Sequence, residues 1–217
     1  MKIAKNTPLA LLALTLLCCP CPAQTAAVKT VPLPKPETDG GKPLMQVLRE
    51  RKSTRSYSAQ KLSMQTLSNM LWAAFGINRP DGRRTAPSAM NRQEIDIYVV
   101  TADGAYLFDA REHALKQVSS EDLRAQAGTQ DFVKNAPVNL VYVADNARMG
   151  NASAEDKTLY AGADTGFVSE NVYLFCASEG LATVVRASVD RAALAKALGL
   201  RPDQKIILAQ CVGFPGA

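Results

Sequence analysis

Residues 164–179 constrain the fold more than any other stretch. Phe167, Val168, Val172, Leu174, Phe175 and Ala177 fall nearly all round a helix that Gly180 ends. A helix apolar on most sides is expected to be buried on most sides, so other elements must surround it. The chain supplies them in mixed order. Residues 43–51 read as a helix opened by Pro43, with Leu44, Val47 and Leu48 on one face. Ser63 caps a second helix, marked by Leu67, Met70, Leu71 and Ala74 and stopped by Gly76. Residues 94–101 alternate as a strand with Ile95, Ile97 and Val99 on one side. Asp103-Gly104 makes a tight turn, and residues 106–108 return as the hairpin partner. A short helix at 120–126, a strand at 138–143, a helix at 190–198 capped by Asp190 and a strand at 205–214 complete the set. Residues 78–91 and 150–156 read as loops. No βαβ rhythm runs through this order, so the fold class expected is α+β, a central sheet surrounded by helices.

The first 23 residues stand apart. Lys2 and Lys5 precede an apolar run from Pro8 to Leu17, and Cys21-Pro22-Ala23 ends on a small residue. This is the anatomy of a secretory signal peptide cut after Ala23; the run is about half the ~20 residues a spanning helix needs. The mature chain is therefore expected to be exported, periplasmic or extracellular, with no membrane span. Cys18, Cys19 and Cys21 make lipid attachment the second reading, ranked lower because Leu17 is bulky for such a site. Prolines at 32, 34 and 36 make 24–42 an extended linker, which places the domain at 43–217. Residues 1–23 hold two lysines and no acid, so cleavage takes the formal charge from +5 to +3. That excess is too small to argue for a nucleic-acid partner, and no basic run interleaved with aromatics occurs. Cys176 and Cys211 remain, each in an apolar run where a buried free thiol is expected; pairing after export is the alternative.

The inventory of reactive groups is sparse. The single histidine, His113, follows a hairpin and reads as incidental. No nucleophile elbow, Walker loop, dinucleotide glycine fingerprint or metal-ligand spacing is present. An enzyme so equipped borrows its reactivity from a cofactor. Two stretches could receive one. Arg51-Lys52-Ser53-Thr54-Arg55 puts three cations and two hydroxyls into five residues, an anion-binding set, although cations at a helix end also serve its dipole. Pro87-Ser88-Ala89-Met90-Asn91 is a turn carrying a hydroxyl and a carboxamide. Trp72 and Phe75 could form an aromatic platform, but their helical spacing is that of core or interface residues.

Together these stretches resemble the signatures of the FMN-dependent nitroreductase family. That family carries Arg-Arg/His-Ser-x-Arg/Lys followed by an aromatic at the end of its first long helix, here residues 51–57 from Arg51 to Tyr57. Its Pro-Ser-Ala/Ser-x-Asn-x-Gln signature is similar to residues 87–93, and its Gly-Leu-x-Ser/Thr-Val to Gly180-Leu181-Ala182-Thr183-Val184. The resemblance spans residues 43–217 and implies a nitroreductase-like fold and a homodimer with FMN in the cleft between two chains. It implies that Arg51 and Ser53 hold the FMN phosphate with help from Lys52. Arg55 would reach the pyrimidine side of the ring, where a fixed cation favours the anionic reduced flavin. Pro87, Ser88 and Asn91 would come from the other subunit, and Val185, Arg186, Ala187 and Ser188 would line the ring near N5. Two departures stand out. Arg186-Ala187-Ser188 replaces the glycine and acid common in relatives, and the chain ends at Phe214-Pro215-Gly216-Ala217 without their C-terminal cations. Arg84 and Arg186 are candidate substitutes at the phosphate.

The activity implied is an oxidoreductase. Hydride from NAD(P)H or another reductant enters at flavin N5 and leaves to a small organic acceptor such as a nitroaromatic or quinone. No side chain is assigned a catalytic role, since the flavin carries the chemistry. A flavin-dependent dehydrogenase working in the oxidative direction, as in peptide azoline dehydrogenases, and a reductive dehalogenase-like activity are alternatives on the same fold. Export adds one of another class, a non-catalytic flavin- or ligand-binding dimer, because NAD(P)H is an intracellular reductant.

Overall fold

The computed structural model describes residues 29–216. The expected signal peptide and its three cysteines lie outside them. Among the described residues seven strands form one antiparallel sheet. They are β1 (Thr30–Pro32), β2 (Ile95–Thr101), β3 (Gly104–Asp109), β4 (Ala114–Ser119), β5 (Val138–Asp145), β6 (Ala182–Arg186) and β7 (Gln204–Gly213). Their spatial order is β1-β4-β3-β2-β5-β7-β6. Helices α1 (Leu44–Glu50), α2 (Met64–Phe75), α3 (Ala154–Glu179) and α4 (Arg191–Ala197) surround it. The expected α+β class with helices around a central antiparallel sheet is what the chain adopts.

Strand parity explains the layers. Ile95, Ile97 and Val99 of β2 and Leu140, Tyr142 and Ala144 of β5 face α2 and α3, meeting Leu67, Met70, Leu71, Val168 and Val172. Tyr98, Val100, Val141 and Val143 point the other way, to Leu194 and Leu198 of the α4 region and to Leu123 and Val133 of the 3-10 turns before β5. Every residue of β5 is therefore buried, as a strand covered on both faces must be. Local caps agree with the sequence: Ser63 Oγ accepts the Thr66 amide at 3.0 Å and Asp190 the Ala193 amide at 3.1 Å. Cys176 and Cys211 are free and buried.

Several expectations differ from the structure. The segment read as a linker contains β1, paired with β4, and its Leu33 is buried. β4 itself was not anticipated. The helix expected at 120–126 is only a 3-10 turn, Arg124–Gln126. His113 is half-buried rather than loose: its Nε2 lies 2.7 Å from Ser68 Oγ and 3.1 Å from Pro34 O, edge-on to Phe108. It ties the segment after β1 to α2, and burial lowers its pKa. Helix α3 begins ten residues before its expected start, capped by Ser153. It is also not buried on most sides, since Leu159 and Phe167 are 61% and 48% exposed.

Candidate functional site

Helix α1 ends where the Arg51 amide bonds back to Val47 O at 2.8 Å. The chain then runs beside β6, with Thr54 N donating to Thr183 O at 2.8 Å. Tyr173 of α3 is the hub of this corner. Its hydroxyl accepts the Val185 amide at 3.0 Å and lies 2.8 Å from Ser53 Oγ, while the Arg51 guanidinium sits 5.2 Å over its ring. Arg51, Ser53 and Val185, forecast as partners in one site, are thus brought together by one phenol. Lys52, Ser53 and Arg55 are exposed. Among the described residues Arg51, Lys52 and Arg55 enter no salt bridge. Ala187 and Ser188 are exposed just past β6, and Ser188 O accepts the Thr129 amide at 3.2 Å. Three cations without a carboxylate, beside a positioned hydroxyl, are a donor set suited to a phosphate monoester.

The second predicted stretch folds as a 3-10 turn, Ala89–Asn91, after Pro87. Met90, Asn91 and Gln93 have φ of 53°, 55° and 51°, a left-handed backbone that costs L-residues roughly 1 kcal/mol or more each. Side chains hold it there. Ser88 Oγ accepts the Gln93 amide at 3.0 Å and Asp164 Oδ2 the Ala89 amide at 2.9 Å. Arg84 Nε donates to Gln93 Oε1 at 2.8 Å and Arg148 to Gln93 O at 2.9 Å. Asn91 and Met90 remain exposed. Below the turn, Glu94 is fully buried against the Asp164 carboxyl, and neither of its oxygens meets a donor. Burial first, and Asp164 second, push its pKa up to about 7.

The two stretches do not meet within one chain. Asp164, which holds the turn, and Tyr173, which holds the corner, are nine residues apart on α3. At helical geometry that is roughly 14 Å along the axis and about half a turn round it. The chain therefore presents two half-sites on different sides of one helix.

The forecast for Arg186 needs correction. Its side chain is buried on the α4 side of the sheet, donating to Ala127 O, to Asn139 Oδ1 at 2.7 Å and to Cys211 Sγ at 3.4 Å. Gly128 makes the room, since a Cβ there would lie 2.2 Å from the guanidinium. Its donors are spent inside the protein. Arg84 is no substitute at the corner either, as it packs 4.4 Å over Phe75 and bonds Gln93 and Phe75 O. Sequence reasoning missed Tyr173 and Asp164. The signal was faint: a phenol and a carboxylate must find partners when a helix buries them, but α3 carries many other polar residues and nothing in the sequence singles these two out. A cavity of about 660 Å3 bounded by Val31, Leu62, Met64 and Tyr106 holds none of the forecast residues.

The sequence profile of the Nitroreductase family matches residues 48–214. A Methanocaldococcus jannaschii protein bearing the nitroreductase name is 32% identical over 151 residues, 65% of this chain and 76% of its own. A Ralstonia eutropha crystal structure bearing the same name superposes with a TM-score of 0.83 at 41% identity, covering 87% of this chain and 90% of that one. The NADPH:FMN oxidoreductase of Vibrio harveyi, complexed with NAD+, shares the fold at 22% identity and a TM-score of 0.62, over 80% and 69% of the two chains. Among the described residues no helix is long and apolar enough to cross a membrane, and no cluster of three metal-ligating side chains occurs.

Proposed function

The chain belongs to the nitroreductase family, and from that premise and its two half-sites we propose an FMN-dependent oxidoreductase that works as an exported homodimer. The observation that carries this is the corner at Arg51–Arg55, where three cations lack a carboxylate and Tyr173 aims Ser53. Arg51, Lys52 and Ser53 hold the phosphate of FMN, and Arg55 supplies positive charge towards the ring. Val185, Ala187 and Ser188 offer the wall beside it. FMN, when bound, supplies hydride acceptance and donation. The residues around it bind, orient and set the local field. The proposed electron donor is NAD(P)H, in keeping with the Vibrio harveyi neighbour, or another reductant met after export, and a nitroaromatic or quinone is the proposed acceptor.

A second copy completes the site. The turn with Ser88 and Asn91 lies too far round α3 to serve the same chain's corner, so it serves the partner's. The outward face of α3 supports this pairing. Leu159 and Phe167 are exposed beside Gly162 and Gly166, and a Cβ at either glycine would touch nothing in its own chain. A helix-interior glycine costs about 1 kcal/mol relative to alanine, so two with no role inside the chain point to a close neighbour outside it.

Absorbance of the purified protein tests the reading. Flavin bands that bleach with NADH or NADPH and return with a quinone are expected. Bound flavin that neither nucleotide reduces would leave a flavin-binding dimer instead. In gel filtration, Gly166→Trp is expected to shift a dimer to monomer and to release the flavin.

A further inference from the structure

A cleft of about 360 Å3 lies between the turn before β2, the β3–β4 hairpin and the segment after β5. Five cations line it, from separate parts of the chain: Arg84, Arg92, Arg111, Lys116 and Arg148. Two carboxylates join them, Asp96 and Asp109. Both are already committed. Asp96 pairs with Arg148 at 2.8 Å. Asp109 takes Lys116 on one oxygen and the Arg111 and Glu112 amides, at 2.9 and 3.0 Å, on the other. The remaining three cations have no carboxylate within salt-bridge reach among the described residues. Arg84 bonds only neutral groups, the Gln93 side chain at 2.8 Å and Phe75 O at 3.2 Å. Arg92 reaches only Met90 Sδ, at 3.4 Å, and its other terminal nitrogen is cut off from water with no acceptor. The Arg111 side chain has no partner among the described residues.

The lining thus carries three positive charges beyond its two acids; outside it, Glu112 lies near Lys116 and Asp145 Oδ2 pairs with Arg148 Nε at 3.4 Å. Burial first, and then repulsion from Arg148, lower the pKa of Arg84. The Arg92 nitrogen cut off from water costs free energy where it stands, and it meets a bound oxyanion only when the side chain turns into the cleft. The cleft is concave and too small for a folded partner, and guanidinium forks match tetrahedral oxyanions bidentately.

We propose that this cleft is a second anion site, separate from the Arg51 corner, that takes the phosphate group of a small molecule. Arg92 and Arg111 are its principal ligands, with Arg84 and Arg148 fixed behind them. None of its five cations belongs to the Arg51 corner. Arg84 and Arg148 also brace the turn of Ser88 and Asn91 through Gln93, so Arg111 is the residue that tests the cleft apart from the flavin reading. Two sources share the chemistry: free phosphate or pyrophosphate, and the phosphate of a nucleotide.

Isothermal titration of the purified protein at low salt in excess FMN, which keeps the Arg51 corner filled, tests it, with pyrophosphate, inorganic phosphate and adenosine 2′-phosphate as probes. Saturable binding of one anion per chain is expected, weakened at least tenfold by Arg111→Ala and by Arg92→Ala. Lys61→Ala, on a distant exposed surface, should leave it within twofold. FMN affinity of Arg111→Ala should also stay within twofold. Tighter adenosine 2′-phosphate would assign the nucleotide source, and tighter pyrophosphate the free one. Absence of saturable binding by all three probes overturns the proposal. So does equal weakening by Lys61→Ala, which would mark general electrostatic attraction. Parallel loss of FMN in Arg111→Ala would place the cleft in the flavin site and overturn its separateness.

Discussion

The two faces of β6 treat arginine in opposite ways. On the α3 face, Arg51 rests over Tyr173 with Lys52 and Arg55 nearby, and no carboxylate answers any of them. On the α4 face, Arg186 is enclosed and spends its donors on Ala127 O, Asn139 and Cys211. Both arginines looked alike in the sequence as candidates for a phosphate. On the proposed reading, positive charge marks a ligand site where the fold leaves it uncompensated. Where the fold surrounds it with acceptors, it marks a structural tie, here one that anchors the 3-10 turns to the sheet.

That contrast can be broken by substitution. Arg186→Ala would strand Ala127 O in the interior and leave Asn139 Oδ1 with only the weak Cys211 thiol donor at 3.1 Å, so a loss of about 3 kcal/mol in urea unfolding is expected. FMN affinity of the folded protein should change by less than about twofold on the same scale of argument. A large loss of FMN with stability intact would reverse the assignment of Arg186. Arg51→Ala should do the opposite. The charge-assisted contact is worth about 1.5–3 kcal/mol, so FMN should bind roughly 10- to 100-fold more weakly, with unfolding shifted by under about 0.5 kcal/mol.

Glu94 sharpens the comparison from the acidic side, as a buried carboxyl that no donor answers. Its folded pKa, about 7, lies above the ordinary value of 4.5, so the folded state holds the proton more tightly. Its contribution to stability is then fullest below about pH 4.5, falls as pH rises towards 7, and stays level above. Between pH 5 and 8 the native chain should lose on the order of 2–3 kcal/mol on this account. Glu94→Gln should flatten that slope and be the more stable protein at pH 8. An unchanged slope in thermal melts would show that Glu94 is not the titrating group.

Much of the fold was legible because its signals are local. Ser63 and Asp190 cap the helices they were expected to cap, and the alternation of Ile95, Ile97 and Val99 set the inner face of β2. What escaped depended on partners remote in sequence. β1 ends in Pro32, tolerable on an edge strand but not a strand signal, and β4 mixes Leu115 and Val118 with Lys116 and Gln117. The early start of α3 was hidden by small and polar residues on its outer side, although Ser153 with Asp156 three residues on is a capping pattern. The apolar character of Phe167 points to burial inside one chain, whereas the structure leaves it open, as it does Leu159 earlier on α3. At the site, the motif residues Arg51 and Ser53 were legible, but Tyr173 was not, because its role arises only when α3 passes the end of α1.

The central claim is that the corner at Arg51–Arg55 recognises a phosphate. Fluorescence titration of the flavin-free protein with FMN and with riboflavin, which lacks only that phosphate, tests it most directly. FMN is predicted to bind at least about 100-fold more tightly, on the order of 3 kcal/mol. Equal affinity for the two flavins would contradict the account, whatever activity the protein shows.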